Sequence, residues 1–204
     1  MPFIILEPLA IFGLIAAYIW KLRALCPPCW IAIPALMIWS HIARRERPGA
    51  LGFDLRALPG LLKKFGPALI LVVAAMFSAG LLLHTVRPIG VLGAVFSLAV
   101  YLPWGVAQEY ALNGYFFNRF TGAMPARASA LLASALFCAA HLPNPFLMAV
   151  TFPLGWYATV IYRRTRNLYL LGIAHAVIGW MLFLVVPDSI SHHLRVGPGW
   201  FRPY

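Results

Sequence analysis

The sequence predicts an all-α protein, a polytopic transmembrane helical bundle of about seven spans with a kinked, long fourth helix. Three observations predict it. Of 204 residues, 62% are hydrophobic and only 10% charged, whereas a soluble domain carries about 25% charged residues. The mean hydropathy is +0.83. The apolar residues come in long continuous runs rather than in the every-second-residue alternation of a membrane strand. No repeat or low-complexity linker divides the chain, so residues 1–204 read as a single integral membrane domain.

The first run is Phe3–Trp20, with Glu7 and Pro8 near its start and Lys21 and Arg23 at its end. The second, Ala24–Ile42, is closed by Arg44, Arg45 and Arg47. A connection over 43–66 interleaves Leu51, Phe53, Leu55, Leu58, Leu61 and Leu62 with Asp54, Arg56, Lys63 and Lys64. That pattern fits either a segment lying on the membrane surface or a basic loop. The third run, Pro67–His84, is charge-free and stops at Arg87-Pro88. The fourth starts near Ile89 and reaches Phe120, too long for one straight span, so a kink is expected at Pro103. The fifth is Ala128–Leu142, stopped by Pro143-Asn144-Pro145. The sixth is Phe146–Tyr162 and the seventh Leu168–Val186, ended by Pro187-Asp188. The tail 189–204, with His192, His193, Gly197, Pro198 and Gly199, reads as irregular.

The net charge of +11 does not mark a nucleic-acid binder, because the basic residues sit between apolar runs. Arg44, Arg45, Arg47, Arg56, Lys63, Lys64, Arg119, Arg127, Arg163, Arg164 and Arg166 fall on one side. Lys21, Arg23, Arg87, Arg195 and Arg202 fall on the other. The richer side is expected in the cytoplasm, together with the N-terminus. Cys26-Pro-Pro-Cys29 is formally a CxxC, but one such pair is a weak zinc or redox signal, and its prolines suit a turn. His41 and His84 end their runs and are expected at the interface, and Tyr115, Phe116, Phe117 and Phe120 in an interfacial aromatic belt.

Function points to the polar groups inside the apolar runs: Gln108, Glu109, Asn113, His141, His175 and Asn144. Glu109 is the only carboxylate between Asp54 and Asp188. A charged group at the bilayer centre costs about 2.5–3.5 kcal/mol or more, which makes such a residue a functional candidate. Glu109 and Asn113 share a helix face, and Gln108 lies about 100° round from Glu109. One acid and two histidines on three helices support two chemistries. They can hold a divalent metal such as zinc through His141, His175 and Glu109. Alternatively, the carboxylate takes a proton from water while the histidines orient it or stabilise an oxyanion. The same groups could also serve only as interhelical hydrogen bonds.

Three short motifs resemble the CAAX-protease and bacteriocin-processing family (CPBP, or Abi) of intramembrane endopeptidases. Its Glu-Glu-x-x-x-Arg-Gly is matched by Gln108-Glu109-Tyr-Ala-Leu-Asn113-Gly114. Its Phe-x-x-x-His is matched by Phe137-Cys-Ala-Ala-His141, and its His-x-x-x-Asn in part by His175-Ala-Val-Ile-Gly179. The resemblance covers 90–186, a CAAX-protease-like core. It implies hydrolysis of a peptide bond in a membrane-associated protein or peptide near the membrane surface, in the inner membrane of a bacterium. Glu109 would be the base, His141 its partner and His175 the oxyanion or metal group, with Gln108 and Asn113 in support. Gln108, Asn113 and Gly179 depart from the motifs. The alternative they imply is a catalytically impaired member acting as a membrane binding or scaffold protein.

Overall fold

In lipid every backbone N–H and C=O must find its partner within the chain, and helices provide this. A computed structural model describes residues 2–202, and among these there is no strand. Helix α1 (Pro2–Ala17) continues through a π-helical turn, Tyr18–Leu22, to Leu25. A 3-10 turn, Pro27–Ile31, leads into α2 (Ala32–Ala43). There follow α3 (Leu58–Leu82), α4 (Val91–Glu109), α5 (Ala126–Ala139), α6 (Pro145–Thr165), α7 (Leu168–Val185) and a short α8 (Asp188–Ser191). Five stretches are long and apolar enough to cross a membrane: Ile5–Leu25, Leu58–Leu82, Val91–Thr121, Pro145–Thr165 and Leu168–Val185. Pro27–Ala43 and Ala126–Ala139 are apolar but shorter. All the expected runs are therefore helical, and two of them fall short of a full span.

The fourth run departs from α geometry later than its proline. The α-helix carries Pro103 through to Glu109, and the chain then turns π-helical over Tyr110–Phe117 before Asn118–Thr121 resumes the α form. A π segment adds a residue per turn and rotates the residues beyond it, which is why such segments mark functional positions. Here the rotation carries Tyr115, Phe116, Phe117 and Phe120 inward. All four are buried, in a core with Ile11, Met37 and Tyr162, and not in an interfacial belt. Phe116 meets Phe12 edge-on at 6.4 Å, and Phe117 meets Tyr162 at 6.1 Å.

The connection after α2 is neither a surface helix nor a free loop. Its Leu58–Lys64 end belongs to α3, which begins well before Pro67. Its first part docks on the α6–α7 turn. Gly52 adopts φ 98°, and a Cβ there would stand 2.9 Å from the Arg166 carbonyl oxygen. Tyr162 donates to the Leu51 carbonyl at 2.8 Å, and the Leu168 N–H to that of Gly52 at 2.8 Å.

His41 is 4% exposed and so faces the inside of the protein. It belongs to an ionic cluster that ties α1, α2 and the end of the fourth run together. Glu7 accepts from Arg44 at 2.5 Å and from the Tyr115 hydroxyl at 2.9 Å, and it also pairs with Ser40. Arg119 donates to Glu46 at 2.7 Å, and His41 contacts Glu46. Burial opposes the charge on Glu46, but its hydrogen bonds to Arg119 and His41 outweigh that and hold its carboxyl below the usual carboxylate range.

The tail is also more ordered than its composition suggests. Short 3-10 turns, His192–Leu194 and Gly197–Phe201, follow α8. Asn144, fully buried, caps α6 by accepting from the Leu147 N–H at 3.0 Å. Its amide donates to the carbonyls of Ser191 at 2.9 Å and Arg195 at 3.1 Å. Asn144 thus holds the tail and not the polar site. α4 packs along α7, α5 along α6, and α3 lies on α7.

Candidate active site

The site lies where α4 and α7 approach most closely, and glycines permit that approach. A Cβ on Gly105 would stand 2.5 Å from the Gly172 carbonyl oxygen. One on Gly172 would stand 2.5 Å from Val106 Cγ2 and 2.7 Å from its Cα. Ala176, fully buried, completes the contact. Small residues at such crossings let membrane helices meet backbone to backbone.

One turn along, Glu109 and His175 face each other across this contact. His175 Nδ1 lies 2.9 Å from Glu109 Oε1, and Asn113 Nδ2 donates to Glu109 Oε2 at 2.7 Å. Glu109 is 3% exposed and Asn113 is fully buried. Both carboxylate oxygens are therefore occupied. A carboxylate only accepts, so His175 carries its proton on Nδ1 and Asn113 presents its amide nitrogen. The His175 Nε2 is left as an acceptor, and no described residue bonds to it.

His141 lies in the turn after α5, half-buried. Its Nδ1 is 2.7 Å from the Phe137 carbonyl oxygen, an acceptor, so this imidazole too is protonated on Nδ1 and keeps its Nε2 lone pair. Phe137 stands between the histidines, its ring centroid 5.0 Å from that of His141 and 5.8 Å from that of His175, edge-on to both. Gln108, Glu109, Phe137, His141, His175 and Gly179 all line one largely apolar cavity of about 950 Å³. Gln108 is half-buried and makes no hydrogen bond to a described residue. A Cβ on Gly179 would meet the Tyr101 ring at 3.5 Å, so an aromatic edge stands beside the position of the third motif's asparagine.

Gln108, Glu109, His141 and His175 are thus brought to one cavity with Asn113 buried against Glu109, but in a different pairing. The acid joins His175, not His141. Among the described residues no three His, Cys, Asp or Glu side chains form a group that could hold a metal ion. His175 turns its Nδ1 to Glu109 and His141 its own to a backbone carbonyl, so each keeps Nε2 as the nitrogen open to a ligand. Small residues around His175, Gly172 among them, already suited a close approach of helices. Sequence reasoning assigned no part to Phe137 or Gly105: the Phe-x-x-x-His motif signalled the first, and the Gly-Val dipeptide gave no signal for the second.

Residues 90–181 match the family model described as type II CAAX prenyl endopeptidase, Rce1-like. The similarity to the CAAX-protease family covers this core. The matched segment contains Gln108, Glu109, Asn113, His141 and His175. No curated protein and no solved structure matches the chain. With five helices long and apolar enough to span, the core that resembles the CAAX-protease family sits in an integral membrane protein.

Proposed function

We propose that the chain is an intramembrane endopeptidase that hydrolyses a peptide bond of a membrane-associated protein or peptide, with His175 as general base and Glu109 as the group that orients it. One observation carries this reading: Glu109 has both oxygens engaged, so the free basic atom beside it is His175 Nε2. A water held in the cavity gives its proton to Nε2 and attacks the scissile carbonyl carbon. The Glu109 carboxylate balances the imidazolium that forms. Gln108 cannot take a proton from water, but its amide N–H can donate to the oxyanion. The imidazolium then returns the proton to the leaving nitrogen, and the acyl–nitrogen bond breaks. His141 Nε2 accepts the water's second hydrogen and fixes its direction of attack.

This scheme is written without a metal, and the Nε2 atoms of His141 and His175 are the donors a divalent ion such as zinc would take. The basic turns favour a cytoplasmic side for the N-terminus and the ionic cluster. The test is cleavage of a membrane-tethered peptide by the purified chain in proteoliposomes. Glu109→Gln, His141→Ala and His175→Ala should each abolish it, and unchanged cleavage in all three overturns the reading. The departures at Gln108, Asn113 and Gly179 support a second reading, a membrane binding or scaffold protein. If only the double variant Gln108→Glu/Asn113→Arg cleaves, that second reading holds.

A further inference from the structure

The cavity has a second chemically reactive group at its rim. Cys26 and Cys29 are joined in a disulfide across the turn between α1 and α2. A bridge spanning only three residues removes little chain entropy from the unfolded state, and the hairpin already holds these helices together. A stabilising role therefore explains little of it. Both cysteines are half-buried, flanked by exposed Pro27, Pro28 and Trp30.

The loop is also mechanically connected to the cavity. The Tyr18 hydroxyl donates to the Pro27 carbonyl at 2.9 Å. The Cys26 N–H donates to Leu22 at 2.7 Å, and the Cys29 N–H to Cys26 at 3.0 Å. Tyr18, Arg23 and Trp30, on both sides of the bridge, line the same cavity as His141 and His175. Cys26 is the residue before the 3-10 turn that opens the helical stretch Pro27–Ala43. The positive end of that stretch favours a thiolate there as the leaving group when the bridge opens.

We propose that Cys26–Cys29 is a reversible thiol–disulfide exchange site for a dithiol partner, and that its redox state sets the shape of the cavity rim. A thiolate of the partner attacks one sulfur of the bridge. The other sulfur leaves as a thiolate and takes a proton. The partner's second thiol then displaces the mixed disulfide. Two electrons and two protons pass to the pair, and the partner departs as a disulfide. With the bridge open, the turn is held only by its backbone bonds and the Tyr18 contact, so Trp30 and Arg23 are free to move relative to α1.

The experiment uses the full chain carrying Cys138→Ala in proteoliposomes, with reduced and oxidised dithiothreitol as the dithiol probe. The folded protein should gain two maleimide-reactive thiols on reduction and lose both on reoxidation. The fluorescence attributable to Trp30, taken as the difference from Trp30→Phe, should shift between the two states. The rate of peptide cleavage should differ about fivefold or more between them, and neither change should occur in Cys26→Ser/Cys29→Ser. Thiols that react only after denaturation overturn the proposal, as does a Trp30 signal indifferent to the bridge. The labelling and fluorescence arms need no cleavage. If they respond while no peptide is cut, the endopeptidase reading fails and this one stands.

Discussion

Replacing Glu109 by Gln isolates the charge at the centre of the site. The shape is conserved, and the hydrogen bonds can be rebuilt. The Asn113 amide can rotate so that its Oδ1, which has no partner, accepts from the new amide nitrogen. The remaining amide oxygen can still accept from His175 Nδ1, so the imidazole keeps its tautomer. What is lost is the negative charge beside the imidazolium of the transition state. A contact of 2.9 Å places the two charge centres about 4 Å apart, worth about 4 kcal/mol at an effective dielectric constant near 20. Glu109 is 3% exposed, so solvent screens this little. The cleavage rate should fall about 10³-fold. The assay is the initial rate on a membrane-tethered peptide in proteoliposomes, with thermal unfolding in parallel to show that the variant folds. A folded Glu109→Gln protein within tenfold of the wild-type rate would refute the role given to the carboxylate.

The same geometry sets four further outcomes. Gln108→Ala removes the free amide at the cavity and should lower kcat about 10²-fold, the lower end for a lost oxyanion donor, with KM little changed in steady-state kinetics. Gly172→Ala pushes a methyl group against Val106 and should destabilise the protein by about 1–3 kcal/mol, read from thermal unfolding, while also slowing cleavage by separating α4 from α7. Tyr115→Phe removes one hydrogen bond to Glu7 from the ionic cluster and should cost about 1 kcal/mol of stability without changing the site, which the ratio of rate to folded protein checks. The hydrogen bonds from Arg87, with the nearby His193, hold the Asp188 carboxyl below the usual aspartate range, so its contribution to stability is present above that range and is lost as pH falls through the lower, folded-state value. Unfolding temperature measured towards acid should drop less steeply in Asp188→Asn than in the wild type.

The helices were legible because apolar runs broken by basic turns leave few alternatives in a bilayer. Glu109 was legible because a lone acid stands out in such a run. Its partner was not: Glu109 and His175 are 66 residues apart, and only the packing of α4 on α7 decides which histidine meets the acid. That packing rests on Gly172, whose place beside His175 hinted at it, and on Gly105, which looks like any other glycine in an apolar sequence. The same limit hid the ionic cluster. Glu7, Arg44 and Arg119 each read as charges at or near span ends, and their convergence with Glu46 is a tertiary event. The π segment after Glu109 explains why the aromatics beyond it turn inward, since helical periodicity assumes a constant turn and the chain does not keep one.

The central claim is that this chain hydrolyses a peptide bond with His175 as the base. Cleavage of a membrane-tethered peptide in H₂¹⁸O, read by mass spectrometry, tests it most directly. The account predicts that the wild-type chain yields a new C-terminus carrying one ¹⁸O and that His175→Ala yields no such product. Equal product from His175→Ala, or none from the wild type, would contradict it.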